Sequence, residues 1–183
     1  MKLGEEQLDL DTIDRHILGL LQDNCRLPLA KIGDHVGLSA PAVTERVKKL
    51  EDSGVIIGYH AVVDGRLVGK DITAFIGVSI AHPKAIGAFE SAVEALDDVL
   101  ECHHVTGEHT LLLKVKTQNT SSLEELISRI RSIDGVAQTE TMVVLSTHTE
   151  RVQLALHPPE PAPASAGKRT RRNGERAAQL RRA

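Results

Sequence analysis

The side chains best placed to do chemistry lie in SAPAVTERVKK, residues 39–49. At ~100° of rotation per residue, a helix that turns Val43, Val47 and Leu50 toward a core leaves Pro41, Thr44, Glu45, Lys48 and Lys49 on its outer arc. Arg46 falls on the flank, where its stem can pack and its head can reach a phosphate or an acid. A short polar and basic arc suits base edges and phosphates in a major groove. An ordinary solvated amphipathic helix would show the same arc. A second cluster, Cys102-His103-His104 with His109 nearby, suggests a metal, but in a strand Cys102 and His104 face one way and His103 the other. No second pair has ligand spacing, so no metal site is expected, and Cys102 reads as a thiol buried in a sheet. The chain shows no Gly-rich phosphate loop, no nucleophile elbow and no carboxylate pair with a plausible cleft, so no catalytic residues are assigned and no enzyme is expected.

The elements that position the outer arc are legible around it. Asp11 can cap a first helix running through Leu21 or beyond, with Ile13, Ile17, Leu20 and Leu21 on one face. Pro28 begins a second helix with no side-chain cap of its own, and Gly33 is small where two helices would cross. Gly37 falls where that helix must stop, in a position favouring a left-handed backbone. Ser39 is a natural N-cap for the third helix, and Pro41 sits in its first turn, where a missing N–H costs little. This is a helix-turn-helix, the pattern of a DNA-binding regulator. Ser53-Gly54 ends the third helix, Val55–Val63 reads as a strand, and residues 64–71 as a hinge.

From Ile72 the pattern alternates between strands and helices. Residues 72–81 are β-rich, and Pro83 opens a helix with Ile86, Phe89, Val93 and Leu96 on one face. Residues 99–105 and 110–117 are two strands. Ser121 with Glu124 makes a capping box for a helix carrying Leu123, Leu126, Ile127 and Ile130. Residues 136–146 are the last strand. The order βαββαβ is the ferredoxin-like arrangement. Its helices cover one face of the sheet, which leaves the other for a partner and predicts at least a dimer. The fold class is thus α+β, a winged helix-turn-helix over 9–63 followed by a ferredoxin-like domain over 72–151.

Composition sets bounds on this reading. A chain of 183 residues holds one medium domain or two small ones, and with 41% hydrophobic residues, 2% aromatics and no Trp, the core must be built from Leu, Ile and Val. Cys25 and Cys102 match no zinc or redox spacing, which predicts a reduced cytoplasm. No signal peptide is read from the start of the sequence, nor any run near the ~20 apolar residues of a membrane span. Residues 157–183 hold seven Arg or Lys against two Glu, a charge of +5, which leaves −8 for the rest of a chain whose net charge is −3. Residues 152–183 read as a Pro/Ala-rich linker and a basic disordered tail, able to touch DNA phosphates or simply solvated. The acidic body counts against the alternative of an architectural protein that wraps DNA with little sequence preference; the tail favours it.

Residues 10–63 resemble the N-terminal half of the leucine-responsive regulator/AsnC (feast/famine) family. The matching landmarks are Leu10-Asp11-x-x-Asp14, Arg26, Val36-Gly37-Leu38-Ser39, Arg46-Val47, Leu50-Glu51, Gly54-x-Ile56 and Gly58-Tyr59. The βαββαβ half, with Val105-Thr106-Gly107-Glu108 at its Gly-centred turn, resembles the family's effector domain. The resemblance spans roughly 9–151 and implies a nucleoid-associated transcriptional regulator of double-stranded DNA. It also implies dimers through the C-terminal domain, commonly built into octamers, and an amino acid or related small metabolite as effector, with no cofactor. The outer arc of the third helix places DNA contacts at Ser39, Pro41, Thr44, Glu45, Arg46, Lys48 and Lys49. The effector would meet Gly107, Glu108, His109, Thr110, Thr139 and Thr141, with Glu108 on an ammonium and turn N–H groups, Thr139 or Thr141 on a carboxylate. The family's second acid after the Gly is Thr110 here, which removes one possible counter-charge. A solvent-exposed hairpin tip would account for Glu108-His109 equally well.

Overall fold

Three short helices come first in the computed structural model, which describes residues 9–156. They are α1 (Thr12–Asp23), α2 (Leu29–Val36) and α3 (Ala40–Asp52). The Asp11 carboxylate accepts from the Asp14 N–H at 2.7 Å and starts α1. Pro28 precedes α2 with no side-chain cap, and Gly37 stops that helix at φ 70°. A side chain there would carry the strain of the left-handed region. Ser39 caps α3, accepting from Ala42 N–H at 3.5 Å. Gly33 is small for a different reason from the one expected. A Cβ there would meet the Leu38 carbonyl oxygen at 2.4 Å, so it is the turn backbone, not a helix crossing, that demands glycine.

The core of this unit joins Ile17, Leu18 and Leu21 of α1, Ile32 of α2, and Val43, Val47 and Leu50 of α3. Full burial of one such side chain is worth about 1.5–3 kcal/mol, so these seven residues hold the turn geometry. Among the described residues, 9–59 together with 152–156 make up this first compact unit; His60–Arg151 make the second. The expected strand at 55–63 does not form. Ile56 donates to Leu50 C=O, but residues 57–63 find no ladder partner among the described residues, and Ile57 and Val62 are 93% and 88% exposed. A strand needs a neighbour to accept its backbone groups, and none is adjacent in the chain.

The second unit begins with a 3-10 turn, Gly65–Val68, capped by Asp64. The sheet then contains β1 (Ile72–Ile80), β2 (Val99–His104), β3 (Leu111–Thr117) and β4 (Val136–Val143), with α4 (Ile86–Glu94) and α5 (Thr120–Arg131) between them. All pairs are antiparallel and the order is β2-β3-β1-β4, which is the βαββαβ arrangement. The last strand stops at Val143, not Ser146, because β1 has by then run out of partners: Ala74 faces Val143 and only Thr73 C=O remains, for Val144 N–H. The capping box of α5 also lies two residues earlier than expected, at Asn119 and Ser122 and not Ser121 and Glu124. Asn119 and Ser122 exchange hydrogen bonds of 3.0 Å, each side chain accepting from the other's N–H.

Alternation in this sheet sorts side chains sharply. Ala74, Ile76, Val78, Leu111, Leu113 and Val115 are buried with Phe89, Val93, Leu96, Leu123, Leu126 and Ile130 of the helical side. Phe75, Leu112 and Met142 point to the opposite face, among Lys114, Glu101 and Glu140. Cys102 is exposed, not buried as expected, because β2 is an edge strand.

Candidate nucleic-acid interface and effector loop

On α3 the packing sets the outward arc. With Val43, Val47 and Leu50 buried, Pro41, Thr44, Glu45, Lys48 and Lys49 are all exposed, as is Ser39 at the helix start. The Thr44 hydroxyl donates to Ala40 C=O at 2.8 Å, which leaves its lone pairs and methyl outward. Lys48 and Lys49 make no ion pair among the described residues, so both ammonium groups are free for phosphates or base acceptors. Their charge sits past the middle of a 13-residue helix whose N-terminal N–H groups form the positive dipole end.

Arg46 is committed elsewhere. Its Nη1 donates to Asp11 Oδ2 and to Asp14 Oδ1, both at 2.7 Å. Of the two partners open to it, phosphate or acid, the structure shows the acid, and the pair locks α3 to α1. Asp14 is 6% exposed, a nearly buried carboxylate that the guanidinium neutralises. The Asp11 carboxyl lies below its ordinary range, first because it accepts the Asp14 N–H and then because of Arg46; the Arg46 guanidinium is held still more firmly charged. No local signal marks this pair, since 32 residues separate Asp14 from Arg46. Beside α3 a groove of 620 Å³ is lined by Leu21, Cys25 and Arg26 on one side and Thr44, Lys48 and Glu51 on the other. Tyr59 donates to Glu51 Oε1 at 2.9 Å at its edge, and burial, then Glu51, pushes the phenol up to about 12.

In the second unit, the expected effector residues fall on two faces of the sheet. Gly107 turns the β2–β3 hairpin at φ 122°, and Glu108 at the tip is exposed with no ion pair among the described residues. His109 lies on the open face, directly over Gly77. A Cβ on Gly77 would meet its ring at 2.3 Å, so only glycine leaves room for the imidazole. His109 Nε2 is 3.0 Å from Glu140 Oε2 and its Nδ1 is 3.4 Å from Ser79 Oγ. Thr110 closes the hairpin on β1, with its N–H on Val78 C=O and its hydroxyl oxygen accepting from Ile80 N–H. Thr139 and Thr141 stand opposite Val78 and Ile76, on the helix-covered face. Within one chain they therefore lie on the sheet face opposite His109. Ser79 and Glu140, which sequence reading passed over, take their place beside His109. On β2, Glu101 and His103 pair on the open face at 3.0 Å while Cys102 and His104 point the other way. Among the described residues no three His, Cys, Asp or Glu converge as a metal site, and no helix is long and apolar enough to cross a membrane.

The family model for the AsnC-type helix-turn-helix domain matches residues 10–51, and that for the Lrp/AsnC ligand binding domain matches 73–154. The HTH-type transcriptional regulator FL11 of Pyrococcus abyssi is 34% identical over 150 residues, covering 82% of this chain and 99% of its own. The structure of AsnC from Escherichia coli superposes with a TM-score of 0.74 at 31% identity, over 78% of this chain and 97% of that one. A transcriptional regulator of Neisseria meningitidis in complex with L-Met superposes with a TM-score of 0.76 at 30% identity, over 80% and 96%.

Proposed function

The chain belongs to the Lrp/AsnC family of transcriptional regulators, and on that footing we propose that it is a sequence-specific DNA-binding regulator that responds to an amino acid or a related small metabolite. The observation that carries the reading is the exposed arc of α3, with Lys48 and Lys49 unpaired beside Ser39, Pro41, Thr44 and Glu45 in an AsnC-type helix-turn-helix. Arg46 braces that helix from behind. One arc with two lysines is a small electrostatic footprint, so a single copy binds weakly and two copies are needed. The open sheet face, with Phe75, Leu112 and Met142, supports a homodimer built on residues 72–151 and, from it, a larger homo-oligomer. A dimer of such heads reads half-sites about one helical turn apart.

The L-Met complex of the Neisseria meningitidis relative supports an amino acid as effector. On this chain the ligand-facing groups are Gly107, Glu108 and the His109–Glu140 pair, the carboxylates meeting an ammonium and the imidazole a carboxylate. The chain crosses between the units at 59–60 and 151–152, so residues 64–71, expected as the hinge, belong to the second unit; the two functions are regulatory and not catalytic. The regulator works in the cytoplasm, at the nucleoid. Selection of bound sites from a random pool of duplexes tests the reading. An enriched palindrome is expected, with affinity lost in Lys48→Ala, Lys49→Ala and a salt slope shallower by about 2 per copy. Failure to enrich any sequence sinks it. A thermal-shift screen of the amino acids, with Glu108→Ala as control, then identifies the effector; a hit indifferent to that change places the pocket elsewhere.

A further inference from the structure

The groove beside α3 has the make-up of a small-molecule site. Thr44, Val47, Lys48, Glu51 and Asp52 line one wall, and their spacing of three or four residues puts them on one face of α3. The end of α1, the connection after it and the start of α2 supply the other wall. Its floor is apolar: Leu21 and Val47 are buried, and Leu27 and Leu29 pack half-buried against the same core. A volume of 620 Å³ lies within the range of pockets that hold small ligands, about 300–1,000 Å³. The rim carries charge of both signs. Arg26 and Lys48 are cations and Asp52 an anion; all three are exposed, and none has an ion-pair partner among the described residues. Glu51 is taken by the Tyr59 hydroxyl. At the Pro28 edge α2 begins with no side-chain cap, which leaves first-turn N–H groups without a side-chain acceptor.

We infer that this groove is a ligand site in its own right, taking a small zwitterion with an apolar side chain, either a free amino acid or a dipeptide. An anion alone would meet Asp52 as a like charge. An apolar ligand alone would strip water from three charges and give none of them a partner. A zwitterion answers every feature at once. Its carboxylate meets Arg26 and Lys48, with the positive end of the α2 dipole behind them. Its ammonium meets Asp52, and its side chain covers Leu21 and Val47. Lys48 and Asp52 stand one turn apart on α3, about 6 Å along the axis, close enough for one small molecule to span both. The groove belongs to the first unit and the hairpin of Glu108 and His109 to the second, so the inference goes beyond the effector reading above. Thr44 and Lys48 also belong to the exposed arc proposed for DNA. Ligand and duplex therefore compete for one ammonium group, and each weakens the other's binding by the same factor. A bound zwitterion lowers DNA affinity at the reading helix itself, with no change in how copies assemble.

The test follows Tyr59 fluorescence in the full-length chain. Tyr59 lines the groove and is the one tyrosine of a chain without Trp, so its signal reports occupancy there. L-leucine and L-leucyl-L-leucine, neither of them fluorescent, are titrated separately to about 20 mM. A saturable change is expected with at least one, at a Kd of about 1 mM or tighter. Arg26→Gln with Asp52→Asn removes a charge facing each end of the ligand and should weaken binding about ten-fold or more. Both positions are exposed, and an unchanged urea midpoint shows that the unit still folds. Lys48→Ala, at an exposed helix position, is the second variant and should cost about three-fold or more. Glu108→Ala should titrate as the wild type does. No saturable change with either probe, wild-type affinity in either groove variant, or loss of the signal in Glu108→Ala overturns the inference. None of these titrations contains DNA, so they stand or fall apart from the regulator reading. Competition is then measured in Glu108→Ala on a duplex of mixed sequence about 40 base pairs long. Saturating ligand should weaken duplex binding about three-fold or more, and unchanged affinity overturns the shared use of Lys48.

Discussion

Arg46→Gln removes the cation that bridges two carboxylates behind the DNA-reading helix, and should cost the first unit about 2–3 kcal/mol. Removing one partner of a buried pair typically costs about 3–5 kcal/mol, because the charge left behind has lost its water. Asp14 meets that condition at 6% exposure. The Arg46 side chain is 31% exposed and that of Asp11 is 50% exposed, so solvent screens part of the effect and the lower end applies. For a unit of this size each kcal/mol is worth about 4–8 °C, a drop of roughly 10–20 °C in its midpoint. Tyr59 is the chain's one tyrosine and there is no Trp, so intrinsic fluorescence in a urea titration reads the unfolding of this unit. A cycle with Asp14→Asn isolates the pair, and a coupling of at least about 1.5 kcal/mol is expected. Asp11 adds a pH signature. Its folded carboxyl sits below its ordinary 3.8, so the contribution is full above that pH and is lost as pH falls through the folded value. The Asp14 N–H is the larger cause and survives the substitution, so the acid limb should shrink without vanishing. A loss below about 0.5 kcal/mol, or zero coupling, would refute the claim that this pair braces the reading helix.

Three further outcomes are expected. Gly33→Ala places a methyl 2.4 Å from a fixed backbone oxygen and should destabilise the first unit by about 2–3 kcal/mol, more than Gly37→Ala, whose left-handed backbone costs about 1–2 kcal/mol; equal losses in denaturant would contradict this. Tyr59 should titrate by ultraviolet absorbance near 12, and stability held below pH 10 should drain as pH rises between the unfolded value of 10.0 and that midpoint. Because burial outranks Glu51 as its cause, Glu51→Gln should lower the midpoint only in part. Gly77→Ala should displace the His109 ring from Glu140 and cost the second unit about 1–2 kcal/mol, seen as moved imidazole ring resonances by NMR while Tyr59 fluorescence unfolding stays as it was.

Local chemistry carried much of this protein into view before any tertiary contact was known. The Asp11 and Ser39 caps, the Gly37 stop, the inward stripe of Val43, Val47 and Leu50, and the alternation of β1 and β3 all depend on residues within four or five positions of each other. Such signals survive in sequence because the forces behind them act within one turn or one pleat. Relations across the chain were invisible for the converse reason. Asp14 meets Arg46, and His109 meets Glu140, only because helix packing and strand register bring them together. Register also decided that Thr139 and Thr141 lie beneath the helices while His109 rests on the bare face over Gly77. The run at 55–63 has strand composition and no neighbour to bond, while Leu154, in a stretch that reads as linker, finds both its backbone partners in Gln22. Composition states what a segment prefers; the availability of a partner elsewhere in the fold determines what it becomes.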